Sequence, residues 1–287
     1  MMYQKGQALI LVIIIMATAI TVALSLAARS IVSLKDNVNQ QESQKAYAVA
    51  ESGVETVLQQ LKNGDSITTP PSNDPASTIN IVVSPVPQNS AQFLMNNGSK
   101  VPVDDGADLW LVKHDISGKP NIPDIATRPS SGSITIHYSD HVTSQCSAAG
   151  GTIADAGIEV IVVIFGGTNY YTNRYAWDPC SAQREAGIGN IADLSRFAGS
   201  SLIYPYDNTT YHFDYSTGTI PIKDAIFARI IPLYNSSDIL VDSTSFLPQQ
   251  GNLVSALGSN GNTQRRINVF ASYPQLAAEY FYGLLAP

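Results

Sequence analysis

The side chains that could do chemistry in this chain are few and scattered. The histidines are His114, His137, His141 and His212, and only the segment HYSDH brings two of them close in sequence. Residues four apart on a β-strand share a face but stand about 13 Å apart, too far to bind one metal ion. The sequence has no GxSxG nucleophile elbow, phosphate-binding loop or HExxH motif. We therefore expect no catalytic site and no cofactor.

An acidic segment, VDDGADLW, is the nearest approach to a metal site. It places Asp104, Asp105 and Asp108 around Gly106. Carboxylates grouped around a turn can bind calcium, but the segment lacks the glutamate that completes the EF-hand pattern. These three aspartates are weak calcium candidates, and a solvated turn before a strand is the favoured interpretation.

The two cysteines, Cys146 and Cys180, lie in polar, loop-like segments. Their spacing matches neither a CxxC redox site nor a zinc-binding pattern. In an oxidising compartment they would form a structural disulfide. Closing a loop of about 35 residues would stabilise the fold by roughly 3–4 kcal/mol on the chain-entropy model. Two free thiols are the alternative.

Charge limits the possible partners. The chain has 287 residues, of which 44 % are hydrophobic and 14 % charged. From Asn63 onward the chain has 11 Lys and Arg residues and 19 Asp and Glu residues, so the net charge of this part is 11 − 19 = −8. Such an acidic body argues against bulk electrostatic binding of nucleic acid or anionic lipid. The pair Arg265-Arg266 predicts a solvated strand face.

The N-terminal region is uncharged between Lys5 and Arg29. Residues 8–28 would span roughly 31 Å as a helix, which matches the hydrocarbon core of a bilayer. A secretory signal peptide has a shorter apolar region before its cleavage site. We therefore expect a transmembrane segment over 8–28.

The helix predicted from this run continues well past it. No proline precedes Pro70, and apolar residues keep helical spacing up to Leu61 while polar residues fill the remaining positions. This pattern predicts one unbroken helix over 7–62, about 80 Å long, apolar all round at first and amphipathic later. Gly64 is expected to end it as a left-handed cap.

The composition changes after the helix. Residues 63–77 are rich in Pro, Ser, Thr and Asn and predict a connector. Residues 78–287 predict a β-rich, mostly antiparallel head, which makes the fold class α+β. The strongest predicted strands are 78–83, 108–113, 133–138, 157–165, 169–176, 225–233, 252–256 and 266–271. The segment IEVIVVIF predicts a central strand, whereas Pro232 predicts an edge strand or a strand end.

Tyrosines form sequence clusters in the head, at Tyr170-Tyr171, Tyr204/Tyr206 and Tyr211/Tyr215, with Trp177 nearby. Aromatic residues among Asn, Ser and Gly can form recognition surfaces for carbohydrate or protein. Ordinary packing within a sheet is the favoured interpretation.

The short basic leader and the long helix, apolar in its first half and amphipathic in its second, resemble the type IV pilin and pseudopilin superfamily over roughly residues 3 to 61. The resemblance implies a leader at 1–6, with Lys5 and Gly6 at its end, cleavage by a prepilin peptidase and methylation of Gln7. The segment AYAVAESGVE resembles the end of the helix in PilX-like and GspK-like minor pilins. Its pattern residues are Ala50, Glu51, Gly53 and Glu55. Simple close packing by Ala50 and Gly53 is the plainer interpretation of the same residues.

Leu11 departs from the family pattern. Most pilins have a glutamate at this fifth mature position, where it pairs with the N-terminal amine of the subunit above. A carboxylate inside an apolar bundle is costly unless it is paired. A subunit at the filament tip has no subunit above it, and so no amine to pair with a glutamate. An apolar residue such as Leu11 therefore resembles what is expected of a tip subunit. A better membrane anchor is the other explanation.

The resemblance thus implies a minor pilin or pseudopilin at or near a filament tip, which primes assembly and displays a head. It implies storage in the cytoplasmic membrane as a single-pass protein with an extracytoplasmic head, followed by an extracellular or periplasmic filament. The implied partners are membrane lipid, the prepilin peptidase, the inner-membrane assembly platform, other minor and major pilins, and a surface ligand of unknown nature. A permanently anchored extracellular binding or sensor protein is the alternative, and a secreted enzyme cleaved near Ala27-Ala28 is a third possibility.

Overall fold

The computed structural model describes residues 4–70, 74–87, 90–115, 118–122, 128–139, 155–180 and 202–275, with side chains from Leu11 onward. One long N-terminal helix is followed by mostly antiparallel β-sheets, so the predicted α+β class is confirmed. The helix is α1, Gln4–Asn63, and a 3-10 turn occupies Met95–Gly98. The strands are β1 Ser77–Val86, β2 Gln92–Leu94, β3 Ala107–Trp110, β4 Ser133–Ser139, β5 Gly157–Phe165, β6 Tyr170–Trp177, β7 Leu202–Tyr206, β8 Thr209–Phe213, β9 Tyr215–Ser216, β10 Ile220–Pro221, β11 Ala225–Leu233, β12 Asp238–Ser243, β13 Gly251–Asn260 and β14 Thr263–Ser272.

Helix α1 ends where its sequence predicts. Gly64 has φ 73°, the left-handed conformation that glycine adopts without steric cost. The amide of Asp65 donates to the carbonyl of Gln60 at 2.9 Å, and the amide of Gly64 donates to that of Leu61 at 3.3 Å. This is a Schellman motif, which satisfies two carbonyls that would otherwise lack a partner at the helix end.

The first of two compact units consists of Met1–Val57, Thr68–Val82 and Ser255–Ile267. It combines most of α1 with parts of a three-stranded sheet of order β1-β13-β14. The residues of α1 buried in this unit are Ala46, Ala50, Gly53, Val54 and Val57, at helical spacing. This stripe of small and medium side chains is the face by which the helix packs on the sheet.

The helix and the sheet touch at backbone distance. A Cβ atom placed on Gly258 of β13 would overlap the carbonyl oxygen of Ala46 and lie 2.8 Å from the amide nitrogen of Ala50. On the helix side, a Cβ on Gly53 would overlap the side chain of Ile79 and come within 3.0 Å of Ile81. Glycine is therefore required at Gly258, which faces backbone atoms, whereas at Gly53 an added methyl group would have to displace the ends of the Ile79 and Ile81 side chains.

Polar contacts fix the hairpin turn of β13 and β14 to the helix. The carboxylate of Glu42 accepts from the amide of Asn262 at 3.4 Å and from the hydroxyl of Thr263 at 3.3 Å. Nε of Arg265 donates to the hydroxyl of Ser43 at 2.7 Å. Arg265 is exposed, as its sequence context predicts, but its guanidinium has this partner on the helix. These bonds hold the helix in one register on the hairpin.

The second unit consists of Leu58–Ile67, Val83–Val254 and Asn268–Pro287. One sheet has the strand order β10-β4-β12-β2, with β9 also paired to β4, and a second has the order β3-β11-β5-β6. Strands β7 and β8 form a separate hairpin. One hydrophobic cluster takes Ile136 and Val241 from the first sheet and Val160 and Ala228 from the second, so the two sheets pack face to face.

Strand β5 is the interior strand that its apolar sequence predicts, since it lies between β11 and β6. The outer face of its sheet is also buried, since Trp110, Ile161 and Phe227, from β3, β5 and β11, form a second hydrophobic cluster. The edge interpretation for Pro232 is wrong because β11 lies between β3 and β5. The strand-end interpretation is right: β3 pairs only with residues Phe227 to Ile230, and Pro232 lies beyond them.

We predict that Gly258→Ala destabilises the first unit, because the added methyl group must displace the backbone of α1. Overpacking of this kind costs about 1–3 kcal/mol. Thermal unfolding of the purified chain, followed by circular dichroism, would show a lowered midpoint. Ser255→Ala is the matched control on the same strand, since Ser255 is half-buried and its side chain has no hydrogen bond within the described residues. An unchanged midpoint for Gly258→Ala would contradict the backbone contact.

Candidate functional site

The apolar half of α1 is exposed on every side. Between Leu11 and Val38 the large apolar side chains are 52 to 66 % exposed, and none of them packs on the rest of the described chain. The most apolar 18-residue window of this helix has a mean hydropathy of 2.6. The described residues thus contain one helix that is long and apolar enough to span a membrane.

Polar groups in this stretch are accommodated by the helix itself. The hydroxyl of Thr18 donates to the carbonyl of Ile15 at 2.9 Å, and that of Thr21 donates to the carbonyl of Thr18 at 2.8 Å. Such bonds satisfy hydroxyl groups within the helix, as an apolar environment requires. Leu11 is 59 % exposed on this segment. Lys5, Gly6 and Gln7 belong to the helical backbone of α1, and their side chains lie outside the described part.

The Ala50-Glu51-Ser52-Gly53-Val54-Glu55 segment divides between two sides of the helix. Ala50 and Gly53 are buried at the contact with the sheet. Glu51 and Glu55 are exposed, lie one turn apart, and make no hydrogen bond or ion pair within the described residues. The small residues therefore have a packing role here, and the two carboxylates lie on the solvent side.

The aspartates proposed as calcium ligands contact an arginine. Asp108 pairs across the sheet with Arg229 of β11, and its Oδ1 lies 3.3 Å from Nη1 of the guanidinium. Asp105 lies 4.0 Å from the same group and is largely exposed, whereas Asp104 forms the left-handed turn, with φ 58°. The interpretation as a solvated turn is wrong for Asp108, whose side chain is fully buried.

Arg229 is the residue that sequence reasoning missed. It is 2 % exposed and is the single charged residue of the buried strand AIFARIIPL. A Cβ on Gly106 would lie 2.5 Å from its Nε, so glycine makes room for the guanidinium. A lone arginine in an otherwise apolar strand indicates a buried carboxylate partner, and this signal is present in the sequence. Among the described residues, no group of three or more His, Cys, Asp or Glu side chains could hold a metal ion.

The histidines do not converge on one site. His114 stacks on Tyr273 at 3.8 Å between ring centroids and meets the ring of Trp110 edge-on at 4.6 Å. Burial lowers the pKa of His114 to about 4, against weaker opposing effects of the Val112 backbone and Asp115. Burial also lowers the pKa of His137, on β4, against the attraction of Asp242. His212 is exposed, and His141 lies outside the described residues.

His114 and Tyr273 line an open groove of about 750 Å³ in the second unit. Its other lining residues include Leu61, Asp115 and Asn252. The lining further includes the carboxylate of Asp65, the amine of Lys62 and the hydroxyls of Ser66 and Ser272.

Cys180 is buried and disulfide-bonded. It follows β6, the edge strand of the second sheet, at the start of a segment that the structure does not describe. Cys146, the only other cysteine in the sequence, also lies outside the described residues.

The tyrosine clusters have different environments. Tyr170 and Tyr171 are 60 % and 50 % exposed on edge strand β6. Tyr215 is buried, and its hydroxyl donates to Oδ2 of Asp155 at 2.7 Å. Tyr204 and Tyr206 lie side by side on β7 with nearly parallel rings, 6.4 Å between centroids. Tyr215 thus belongs to the core, whereas the other two pairs present aromatic surface to solvent.

Comparison of the chain with protein-family models, with curated proteins and with solved structures finds no significant match. The architecture itself is pilin-like: one long apolar N-terminal helix, followed by an antiparallel β domain.

We predict that the two aspartates near Arg229 differ sharply in their effect on stability. Asp108→Asn leaves a buried guanidinium without its carboxylate and should lower the free energy of unfolding by about 3 kcal/mol or more. Asp105→Asn is the matched control, because an exposed carboxylate at 4.0 Å contributes less than about 1 kcal/mol. Urea unfolding curves of both variants would measure the difference. An equal loss of unfolding free energy in the two variants would show that the buried Asp108–Arg229 pair contributes no more than the exposed Asp105.

We also predict a pH dependence of stability that originates at His114. Its pKa is about 4 in the folded chain and 6.5 when unperturbed. Between these values the unfolded state binds the proton and the folded state does not, so the free energy of unfolding falls as the pH drops from 6.5 towards 4. In His114→Phe, which keeps an aromatic ring on Tyr273, part of this fall should disappear. His212→Asn, at an exposed site, should leave the profile unchanged, and identical profiles for all three proteins would refute the assignment.

Proposed function

We propose that this chain is a minor pilin or pseudopilin, a structural subunit of a type IV pilus or a type II secretion-like filament. In this proposal it is stored in the cytoplasmic membrane through the apolar half of α1, enters a filament at or near its tip, and displays its head there. The observation that carries the proposal is the division of α1. Its apolar half is exposed all round, and its second half is packed on a sheet in one unbroken helix.

Continuity of the helix favours a subunit over a simple anchor. A permanent anchor needs only the membrane span and can be followed by a flexible linker. Here α1 runs without a break from the exposed apolar residues to the buried stripe at Ala46, Ala50 and Val54. Because the second half of α1 is packed on its own sheet, the place of the helix in a filament would also fix the place of that sheet. A filament with helical symmetry needs subunits with such a fixed connection.

Transfer of the apolar half of α1 from the membrane to a filament would change its hydrophobic free energy little. Lipid tails are as apolar as leucine, so an apolar helix that leaves the bilayer for a bundle of similar helices loses little hydrophobic stabilisation. Packing between helices then decides which neighbours it takes. The described side chains from Leu11 to Leu26 carry no charge that would oppose either environment.

Cleavage after Gly6 and methylation of Gln7 by a prepilin peptidase belong to the proposal through the family resemblance. So does the tip position, which rests on Leu11. A glutamate here would need the amine of a subunit above, and an apolar residue avoids an unpaired carboxylate in the bundle. The proposed partners are the peptidase, the inner-membrane assembly platform, and other minor and major pilins.

The second candidate is a permanently anchored extracytoplasmic binding or sensor protein. The exposed tyrosines Tyr170 and Tyr171 and the grooves of the second unit fit such a role equally well. The two candidates differ in the fate of the N-terminus and in whether the chain enters a filament.

The deciding experiment measures the mass of the intact chain, purified from cells with and without an active prepilin peptidase. We expect loss of residues 1–6 and one methyl group on Gln7 where the peptidase is active, and a full-length chain where it is not. Gly6→Leu should stay uncut in both strains, because the larger side chain occupies the cleavage position. Ala8→Leu, two residues beyond Gly6, is the matched control and should be processed.

Recovery of an uncut chain beside an active peptidase would refute the pilin proposal and support the anchor. Cleavage near Ala27-Ala28 would support a secreted protein. For a processed chain, immunogold labelling of the head tests the tip position. Label at one end of sheared filaments is expected, whereas label along the shaft would exclude a tip subunit.

A further inference from the structure

A groove of about 350 Å³ lies beside the hairpin β7–β8 in the second unit. Tyr204 and Tyr206 form one wall, and residues of β1 and β2, including Pro85 and Phe93, form the others. This volume is within the range of about 300–1,000 Å³ typical of small-molecule sites. None of the described residues that line the groove carries a charge.

The aromatic wall is held in place. The hydroxyl of Tyr206 donates to Oδ1 of Asn97, and the hydroxyl of Tyr211 donates to the carbonyl of Gly98 at 3.1 Å. A Cβ on Gly98 would overlap the Tyr211 hydroxyl, so glycine permits this contact. The hairpin is also anchored by Phe213, which is fully buried against Leu94 and Leu240. The ring of Tyr206 is thus fixed before any ligand arrives, which lowers the entropy cost of binding.

Three polar side chains at the groove have no hydrogen-bond partner among the described residues. The side chains of Ser84 and Gln92 and the hydroxyl of Tyr204 make no hydrogen bond within the described residues. Ser90, also on the lining, accepts a hydrogen bond from the amide of Gln92 at 3.0 Å. Burial raises the pKa of Tyr204, so its phenol stays protonated and can donate at neutral pH. Hydroxyl and amide groups with free capacity beside fixed aromatic rings suit a ligand that offers both an apolar face and many hydroxyls.

We propose that this groove binds a neutral saccharide, with one sugar ring packed on Tyr204 and Tyr206 and its hydroxyls bonded by Ser84, Gln92 and the Tyr204 phenol. A pyranose ring has an apolar face of C–H groups that packs on an aromatic ring, and a rim of hydroxyls that both donate and accept. The uncharged lining, in a region that carries −8 from Asn63 onward, favours a neutral sugar over an acidic one.

This inference adds a ligand class to the proposed function. It rests on the proposed function only for the place where the head is displayed. The groove belongs to the second unit and needs no filament in order to bind. Failure of saccharide binding would therefore leave the processing and assembly of the subunit untouched, and a correctly bound saccharide would not by itself establish a pilus.

The test uses the chain as purified from cells, in a detergent without a sugar head group, because a glycosidic detergent would compete for the site. Saturation-transfer NMR with neutral disaccharides built from glucose, galactose or mannose should show transfer to ring C–H protons of at least one of them. The dissociation constant follows from titration. Tyr204→Ala should weaken binding at least tenfold, and Tyr204→Phe, which removes only the hydroxyl, should weaken it less.

Tyr171→Ala is the matched control, because it removes an exposed tyrosine from β6, outside the groove, and should leave the dissociation constant unchanged. If Tyr204→Ala lowers the unfolding midpoint, Tyr204→Phe and Gln92→Ala, which keep the aromatic wall, decide the result. Absence of binding by every neutral saccharide at millimolar concentration overturns the proposal. So does an equal loss in Tyr171→Ala, or preferential binding of an acidic saccharide or a proline-rich peptide.

Discussion

The contact between α1 and β13 is the constraint on which the first unit depends. Backbone meets backbone at Gly258, Ala46 and Ala50, so neither surface can carry a larger side chain. Close approach of this kind tolerates little sliding, because interiors are close-packed and a shift of one residue would drive side chains into the gap. Two hydrogen bonds fix the same register: Glu42 of the helix accepts from the amide of Asn262, and Arg265 of β14 donates to the hydroxyl of Ser43. The second half of the helix is thereby fixed to this unit, whereas the large apolar residues from Leu11 to Val38 remain exposed.

The small residues and the large apolar residues of α1 have different roles in its two halves. Small residues, Ala46, Ala50 and Gly53, serve the sheet, where close approach replaces side-chain volume. Large apolar residues from Leu11 to Val38 serve an environment outside the domain and remain exposed. An apolar surface of that extent is far larger than the patches that soluble monomers leave open. Lipid and a bundle of similar helices are both apolar, so the proposed storage in a membrane and the proposed assembly in a filament make the same demand on this surface.

The sequence predicts those features of the fold that depend on neighbours along the chain. Helix α1, its cap at Gly64 and the interior strand β5 follow from periodicity, backbone freedom and a run of β-branched residues. Strands β2, β7, β8, β9, β10 and β12 are not among the predicted strands. Of these, β9, β10 and β12 form by pairing with β4 across the fold. The buried position of Asp108 depends in the same way on Arg229, which is 121 residues away in sequence. A contact between residues so far apart along the chain produces only a weak signal in the local sequence pattern.

The polar groups of the head differ in whether they have partners. The buried charge of Arg229 is accompanied by the carboxylate of Asp108, and Gly106 makes room for it. At the tyrosine groove, charge is absent from the described lining, and the free groups are hydroxyls and an amide that solvent can satisfy at little cost until a ligand replaces it. The tyrosine pair is visible in the sequence, but its setting is not. Ser84 and Gln92 reach the groove through β1 and β2, and only the folded chain brings them to Tyr204. The aromatic pair becomes a candidate binding site through these partners, in contrast to Tyr215, whose hydroxyl is already bonded to Asp155.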